Sequence, residues 1–183
     1  MVGRLWQSSA TAKGNGKMIS MLRAGILGTL LSLAPALALA GEHKLPAGKP
    51  VVSITLPDNW EVSADTHSVS ATPKEGDVYV AAMLVSMGEF TRAMKFWEDS
   101  LADLKITRDE TSKTVQKFKF EGGDSISTAW KAKDETGPIR LVQTILKLSE
   151  NHLLFVTKWG PEAAHKKYAG EILEIQRSVT KLK

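Results

Sequence analysis

Cysteine is absent from all 183 residues, which excludes thiol catalysis, thiolate metal sites and c-type haem attachment at once. An exported form of this chain has to draw its stability from an apolar core rather than from disulfides. No Gly-x-Ser-x-Gly elbow occurs, and no glycine cluster joins a strand pattern to a helix pattern; Gly14-Asn15-Gly16 lies near the N-terminus, ahead of any such pair. Serine hydrolysis and nucleotide cofactors therefore find no support. Histidine is sparse. His43, His67, His152 and His165 fall in different expected elements, with no His-x-x-x-His or His-Glu-x-x-His pair to set two imidazoles on one helical face. Acidic residues are missing altogether from the first forty positions, where the basic residues are Arg4, Lys13, Lys17 and Arg23.

What those forty positions do contain reads as a leader. Arg23 is followed by an apolar stretch from Ala24 to Leu33, a turn-prone Ala34-Pro35, and Ala36-Leu37-Ala38-Leu39-Ala40. A basic residue, an apolar segment and small side chains at Ala38 and Ala40 make up the layout of a cleavable secretory signal, with Gly41 as the first mature residue. A membrane anchor fits less well, because Ser32 and Pro35 interrupt the run and spanning takes about 20 sustained apolar residues. Met1, Met18 and Met21 are all usable starts. Of the 24 Lys and Arg, four lie in this leader, leaving 20 against 20 Asp and Glu. The mature chain is formally neutral, so the inference from a basic chain to nucleic acid or an anionic membrane loses its basis.

Removal of the leader leaves 143 residues, a length suited to one domain. Residues 41–50, with two prolines and two glycines, read as an extended lead-in, and residues 51–183 as a single globular domain. Strands are expected at Val51–Leu56, from Trp60 through Val62, at Ser68–Thr72 and at Val78–Val85; the last is apolar on both faces and so central. The period then changes. Phe90, Met94, Trp97, Leu101 and Leu104 trace one stripe of a helix over Glu89–Leu104, a face that packs on the protein's own sheet. Strands return at Lys105–Thr107, Val115–Phe120 and Ser125–Ala132, the last two joined by a Gly122-Gly123 hairpin turn, then at Ile139–Leu148 and Leu153–Trp159. Pro161-Glu162 opens a final helix whose buried stripe is Ala164, Tyr168, Ile172, Ile175 and Val179. The order implies an α+β fold with a central antiparallel sheet flanked by helices.

Three features resemble the PsbP-like superfamily, whose members include a photosystem extrinsic subunit, a small Ran-binding nuclear factor and many exported bacterial domains. They are Val52-Ser53-Ile54-Thr55-Leu56-Pro57-Asp58-Asn59-Trp60, the central apolar strand ahead of one helix, and the ending from Leu153 through Glu171-Ile172-Leu173 to Ser178-Val179. The resemblance implies an α/β/α sandwich and function through protein binding. It implies no reaction and carries no functional residue over by motif.

The chain is accordingly expected to be an exported, non-enzymatic domain, periplasmic in a Gram-negative bacterium, that binds an envelope protein partner or supports an envelope assembly. No cofactor, no nucleic acid and no stable membrane span after signal cleavage are expected. The alternative is a small-molecule or metal-binding module. Cleavage after Ala40 creates Gly41-Glu42-His43, whose α-amine, two deprotonated amides and imidazole supply four coplanar nitrogens suited to Cu(II) or Ni(II). An unrecognised hydrolase ranks last. The adjacent acids Asp109-Glu110 and Asp134-Glu135 read as solvated turn residues, and Trp60, Trp97, Trp130 and Trp159 as core packing rather than a ligand cleft.

Overall fold

Alternating and doubly apolar segments, separated by turn residues, pair antiparallel wherever short loops connect them. That arrangement is realised in the computed structural model, which describes residues 41–74 and 76–182; the expected leader and its cleavage bond on the Ala40 side lie outside the described residues. Among the described residues eleven strands form two sheets. The smaller joins β1 (Glu42–Leu45), β2 (Val52–Thr55) and β11 (Thr180–Lys181) in the order β1-β2-β11. The larger contains β3 (Trp60–Ala64), β4 (Ser68–Pro73), β5 (Tyr79–Ser86), β6 (Thr107–Arg108), β7 (Thr114–Phe120), β8 (Gly123–Asp134), β9 (Gly137–Lys147) and β10 (His152–Gly160). Its order is β3-β4-β5-β10-β9-β8-β6, with β7 also on β8. All pairings among the described residues are antiparallel.

The centre of the large sheet is where the sequence is apolar on both faces. Leu154 of β10 lies opposite Leu84 of β5 and Leu146 of β9, and it is fully buried. One face carries α1 (Phe90–Asp103), whose Ala93, Trp97 and Leu101 are buried against Trp130, Ile139, Leu141, Leu153 and Phe155. The other face carries α2 (Glu162–Lys167), α3 (Ala169–Ser178) and the small sheet, which share a core of Leu45, Val52, Ile54, Trp60, Tyr168, Ile172 and Ile175. The fold is thus α+β and mostly antiparallel. It is more strand-rich than a plain helix-flanked sandwich, since three strands join the helices in one covering layer.

Two local departures from the sequence pattern have physical causes. Glu42–Leu45, within the expected lead-in, is a strand, because Leu45 is buried at 2% exposure and the segment pairs with β2 from Glu42↔Thr55 to Leu45↔Val52. The final helix is two helices, broken at Tyr168 (φ −102°, ψ 20°) where its ring enters the core edge-on to Trp60, 5.9 Å between centroids.

Helix α1 ends in a Schellman-type turn: Ile106 N–H donates to the Leu101 carbonyl at 2.8 Å and Lys105 N–H to that of Ala102 at 2.9 Å. Lys105 takes the left-handed position (φ 54°) usually given to glycine, and Ile106 packs beside Leu101. This turn sends the chain directly into β6 and sets Arg108 beside the helix it has just left.

Candidate functional site

Three features stand out, and they are distributed over both faces and one edge of the large sheet. On the α1 face, Arg108 pairs in register with Ala132, which directs its side chain between Trp97 and Trp130 at 5.0 and 5.4 Å from the two ring centroids. Glu98 accepts from its Nη1 and Nη2 at 3.0 and 2.8 Å, and Glu110 lies 3.2 Å from its Nε. Glu110 also accepts from the Trp130 indole N–H at 3.3 Å. An open groove of about 420 Å³ runs along this cluster, lined by Glu98, Leu101, Lys105, Ile106, Arg108 and Glu110 among others. All polar atoms of the Arg108 fork are occupied or stacked, so the cluster reads as a clamp tying α1 to the sheet.

The edge formed by β7 is different. Its side chains are exposed from Thr114 to Lys119, including Val115 at 48% and Phe118 at 40%. The β7–β8 hairpin is closed by the two-residue turn Glu121-Gly122, with φ 45° and 84°, so the glycine pair expected as the turn is shifted by one residue and Gly123 already pairs with Phe120. A two-residue loop makes Phe120–Gly123 a pair that exchanges both hydrogen bonds, and alternation from there leaves the N–H groups of Lys119, Lys117 and Val115 pointing away from β8. No strand pairs with that outer edge among the described residues. Lys119 is tied to Asp124 at 2.5 Å.

The third feature lies on the face opposite α1. Along β10, Leu154, Val156 and Lys158 share one side, and Lys158 is only 8% exposed. Burial, reinforced by the nearby Arg140 charge, brings its ammonium down from 10.5 to about 8. Arg140 follows from register: it lies opposite Gly160, and Val142 opposite Lys158, so both side chains leave the same face. Helix α2 closes over them with His165, whose Nε2 lies 3.2 Å from the Arg140 carbonyl oxygen. That contact requires an Nε2–H donor. Burial holds the His165 imidazole below its usual 6.5, against the opposing effect of that carbonyl. Glu162 approaches Arg140 only to 3.9 Å.

The residues singled out by sequence are dispersed. Gly41 precedes β1, Glu42 and His43 lie in it, and the Gly41 carbonyl accepts from Leu56 N–H at 3.0 Å. Alternation then makes His43–Ile54 a pair that exchanges both bonds, which commits the His43 amide to the sheet. Its imidazole is lowered by burial, and its Nε2 is buried without a hydrogen-bond partner. Asp109 accepts from Thr111 N–H at 3.0 Å and Asp134 from Thr136 N–H at 2.7 Å, as turn-formers, while Glu135 pairs with Lys105. Trp60, Trp97 and Trp130 are buried in the core, and Trp159 stacks on Tyr79 at 5.1 Å. Among the described residues no three or more His, Asp or Glu converge as a metal site, and no helix is long and apolar enough to cross a membrane. Lys158 went unnoticed in the sequence because its run, Leu153 to Trp159, reads as a buried strand; the parity that puts a lysine beside Leu154 and Val156 was the available signal.

The architecture is PsbP-like. Over 86% of this chain and 100% of the other, it superposes on cyanobacterial PsbP (CyanoP) of Synechocystis with a TM-score of 0.54 at 10% identity. Over 78% of this chain and 91% of the other, it superposes on LpqN of Mycobacterium tuberculosis, described as involved in cell envelope biogenesis, with a TM-score of 0.51 at 11% identity. The Ran-binding protein Mog1p of Saccharomyces cerevisiae aligns over 78% and 96% of the two chains with a TM-score of 0.45 at 10% identity. No protein-family profile matches the sequence, and no curated protein matches it.

Proposed function

We propose that this chain is an exported, non-enzymatic domain that binds a protein partner in the cell envelope by adding an extended acidic segment of that partner beside β7. The observation that carries the reading is the seven-residue edge strand, exposed nearly throughout, with two exposed apolar side chains and its outer N–H groups facing no strand among the described residues. Such an edge offers main-chain hydrogen bonds for affinity and alternating side chains for selection. Charge decides the occupant. Lys117 and Lys119 project on one face of β7, and a second copy paired antiparallel through Lys117 sets lysine against lysine, which is unfavourable. With Lys119 tied to Asp124, a strand carrying a carboxylate opposite Lys117 meets that lysine with opposite charge. The envelope setting rests on the leader pattern from Arg23 to Ala40 and on the likeness to LpqN.

The test uses an extended peptide alternating Glu and Val, titrated by fluorescence anisotropy. Lys117→Pro removes an outward N–H without touching the ladder to β8, and Lys117→Glu reverses the charge. Both are expected to weaken binding at least tenfold while the circular dichroism stays unchanged. Absence of binding to the unaltered chain, or binding by both variants as tight as by the unaltered chain, overturns the proposal.

A second reading, Cu(II) or Ni(II) held by Gly41, Glu42 and His43 at a free N-terminus, is favoured by the unprotonated imidazole that burial maintains at His43. It requires the His43 amide to leave the β2 ladder. Copper uptake should therefore accompany loss of hydrogen-exchange protection at Ile54; equal copper binding by His43→Ala ends this reading.

A further inference from the structure

Lys158 makes no hydrogen bond or ion pair among the described residues. Yet its Nζ is not among the fully buried polar atoms that lack a partner, so the stem is covered while the nitrogen touches solvent. The charged residues beside it in the strand register are cations. Arg140 leaves the same face one pleat along β9, and Lys131 of β8 lies directly opposite Arg140 in register. Like charges facing across strands oppose sheet pairing. The carboxylates nearby serve its neighbours rather than Lys158: Glu162 stands 3.9 Å from Arg140, and Asp109 acts on Lys131. Structural cations in this protein are treated otherwise, as the doubly paired and stacked Arg108 shows.

We propose that Lys158 and Arg140 form a subsite for a small oxyanion, a carboxylate or phosphate group, at the corner where α2 crosses β9 and β10. The donor set suits that chemistry: a planar guanidinium fork for two oxygens and a compact ammonium for a third contact. His165 is the wall. Its Nε2–H is spent on the Arg140 carbonyl, which fixes the β9 backbone below the guanidinium, so His165 is a positioning residue. Glu162 is the group the oxyanion displaces from Arg140. This subsite lies on β9 and β10, apart from the β7 edge, and the two stand or fall separately.

The test is an NMR titration of the purified chain at pH 7 and constant ionic strength, with inorganic phosphate in one arm, acetate in the second and chloride as reference. The Lys158 Cε and Arg140 Nε resonances report binding. Saturable shifts at both side chains, with the Lys158 amine titrating at higher pH when the anion is bound, are the expected result. Saturation by phosphate but not acetate assigns a phosphate group, and comparable saturation by both assigns a carboxylate-sized oxyanion. Arg140→Gln, at a half-exposed position that leaves the core intact, is expected to weaken binding at least tenfold, as is Lys158→Met. Lys117→Pro on the β7 edge is expected to leave it unchanged. Shifts no larger than with chloride, or full binding retained by both Arg140→Gln and Lys158→Met, overturn the proposal.

Discussion

Arg108 and Lys158 are both long cations set into the large sheet, on opposite faces, and their surroundings differ in every respect that matters electrostatically. The Arg108 side chain, 21% exposed, lies between two tryptophan rings and against Glu98 and Glu110. Lys158, 8% exposed, lies among Val80, Val142 and Val156 with Arg140 as its charged neighbour. The first arrangement recovers the cost of burying a charge through ion pairs and ring stacking. The second leaves that cost standing in the isolated chain. A fold that can build a neutralised cation on one face and leaves one unneutralised on the other has placed the second where an anion can enter.

The largest expected effect comes from removing the uncompensated charge. Because the folded-state pKa of Lys158 is depressed from 10.5 to about 8, the unfolded chain holds that proton more tightly than the folded chain. Below about pH 8 the amine is charged in both states and the full penalty is present. Between about pH 8 and 10.5 the folded chain releases the proton first, so stability rises with pH across that window. Lys158→Met should therefore stabilise at pH 7 by up to about 3 kcal/mol, and the gain should fade toward pH 10.5. Urea unfolding at the two pH values measures it. A gain that is the same at both ends, or a loss at pH 7, means the ammonium is neutralised by the protein itself. Next in size is Arg108→Met, which removes two carboxylate partners and two ring contacts but retains much of the stem. A loss of about 2 kcal/mol is expected, and a loss near zero breaks the clamp side of the comparison.

The two cations were unequally legible in the sequence. The strands, the α1 stripe of Trp97 and Leu101, and the buried face of Tyr168, Ile172 and Ile175 follow from apolar spacing, since burial imposes periods of two and of 3.6 on the chain. Strand β1 does not, because Glu42-His43-Lys44-Leu45 contains one apolar residue and is held by β2, a partner no local signal names. Lys158 was readable through strand parity once its neighbours were known to face inward. The Arg108 clamp was not, because it joins Trp97, Glu98, Glu110 and Trp130, brought together by the turn at Lys105 and the β6–β8 pairing. The oxyanion subsite is of the same kind: Arg140 and Lys158 meet through the β9–β10 register and gain their cover from α2.

Smaller substitutions sharpen the contrast without destroying either site. Arg108→Lys keeps the charge but loses the fork to Glu98 and the planar stacking on Trp97 and Trp130. It should cost about 1 kcal/mol, and the loss should shrink little in high salt if the stacking dominates. The smallest effect on stability belongs to His165→Ala, within about 0.5 kcal/mol, since the lost contact is one partly exposed hydrogen bond at 3.2 Å. Its effect on the neighbouring amine should nevertheless be visible. With the imidazole gone, water reaches the Lys158 stem, desolvation weakens, and the amine should titrate closer to its ordinary value in a ¹³Cε titration. If it stays where the imidazole left it, the covering of Lys158 is the work of the sheet and the stem of Arg140 rather than of α2. The Lys158–Arg140 subsite would then owe its cover to β9 and β10 alone.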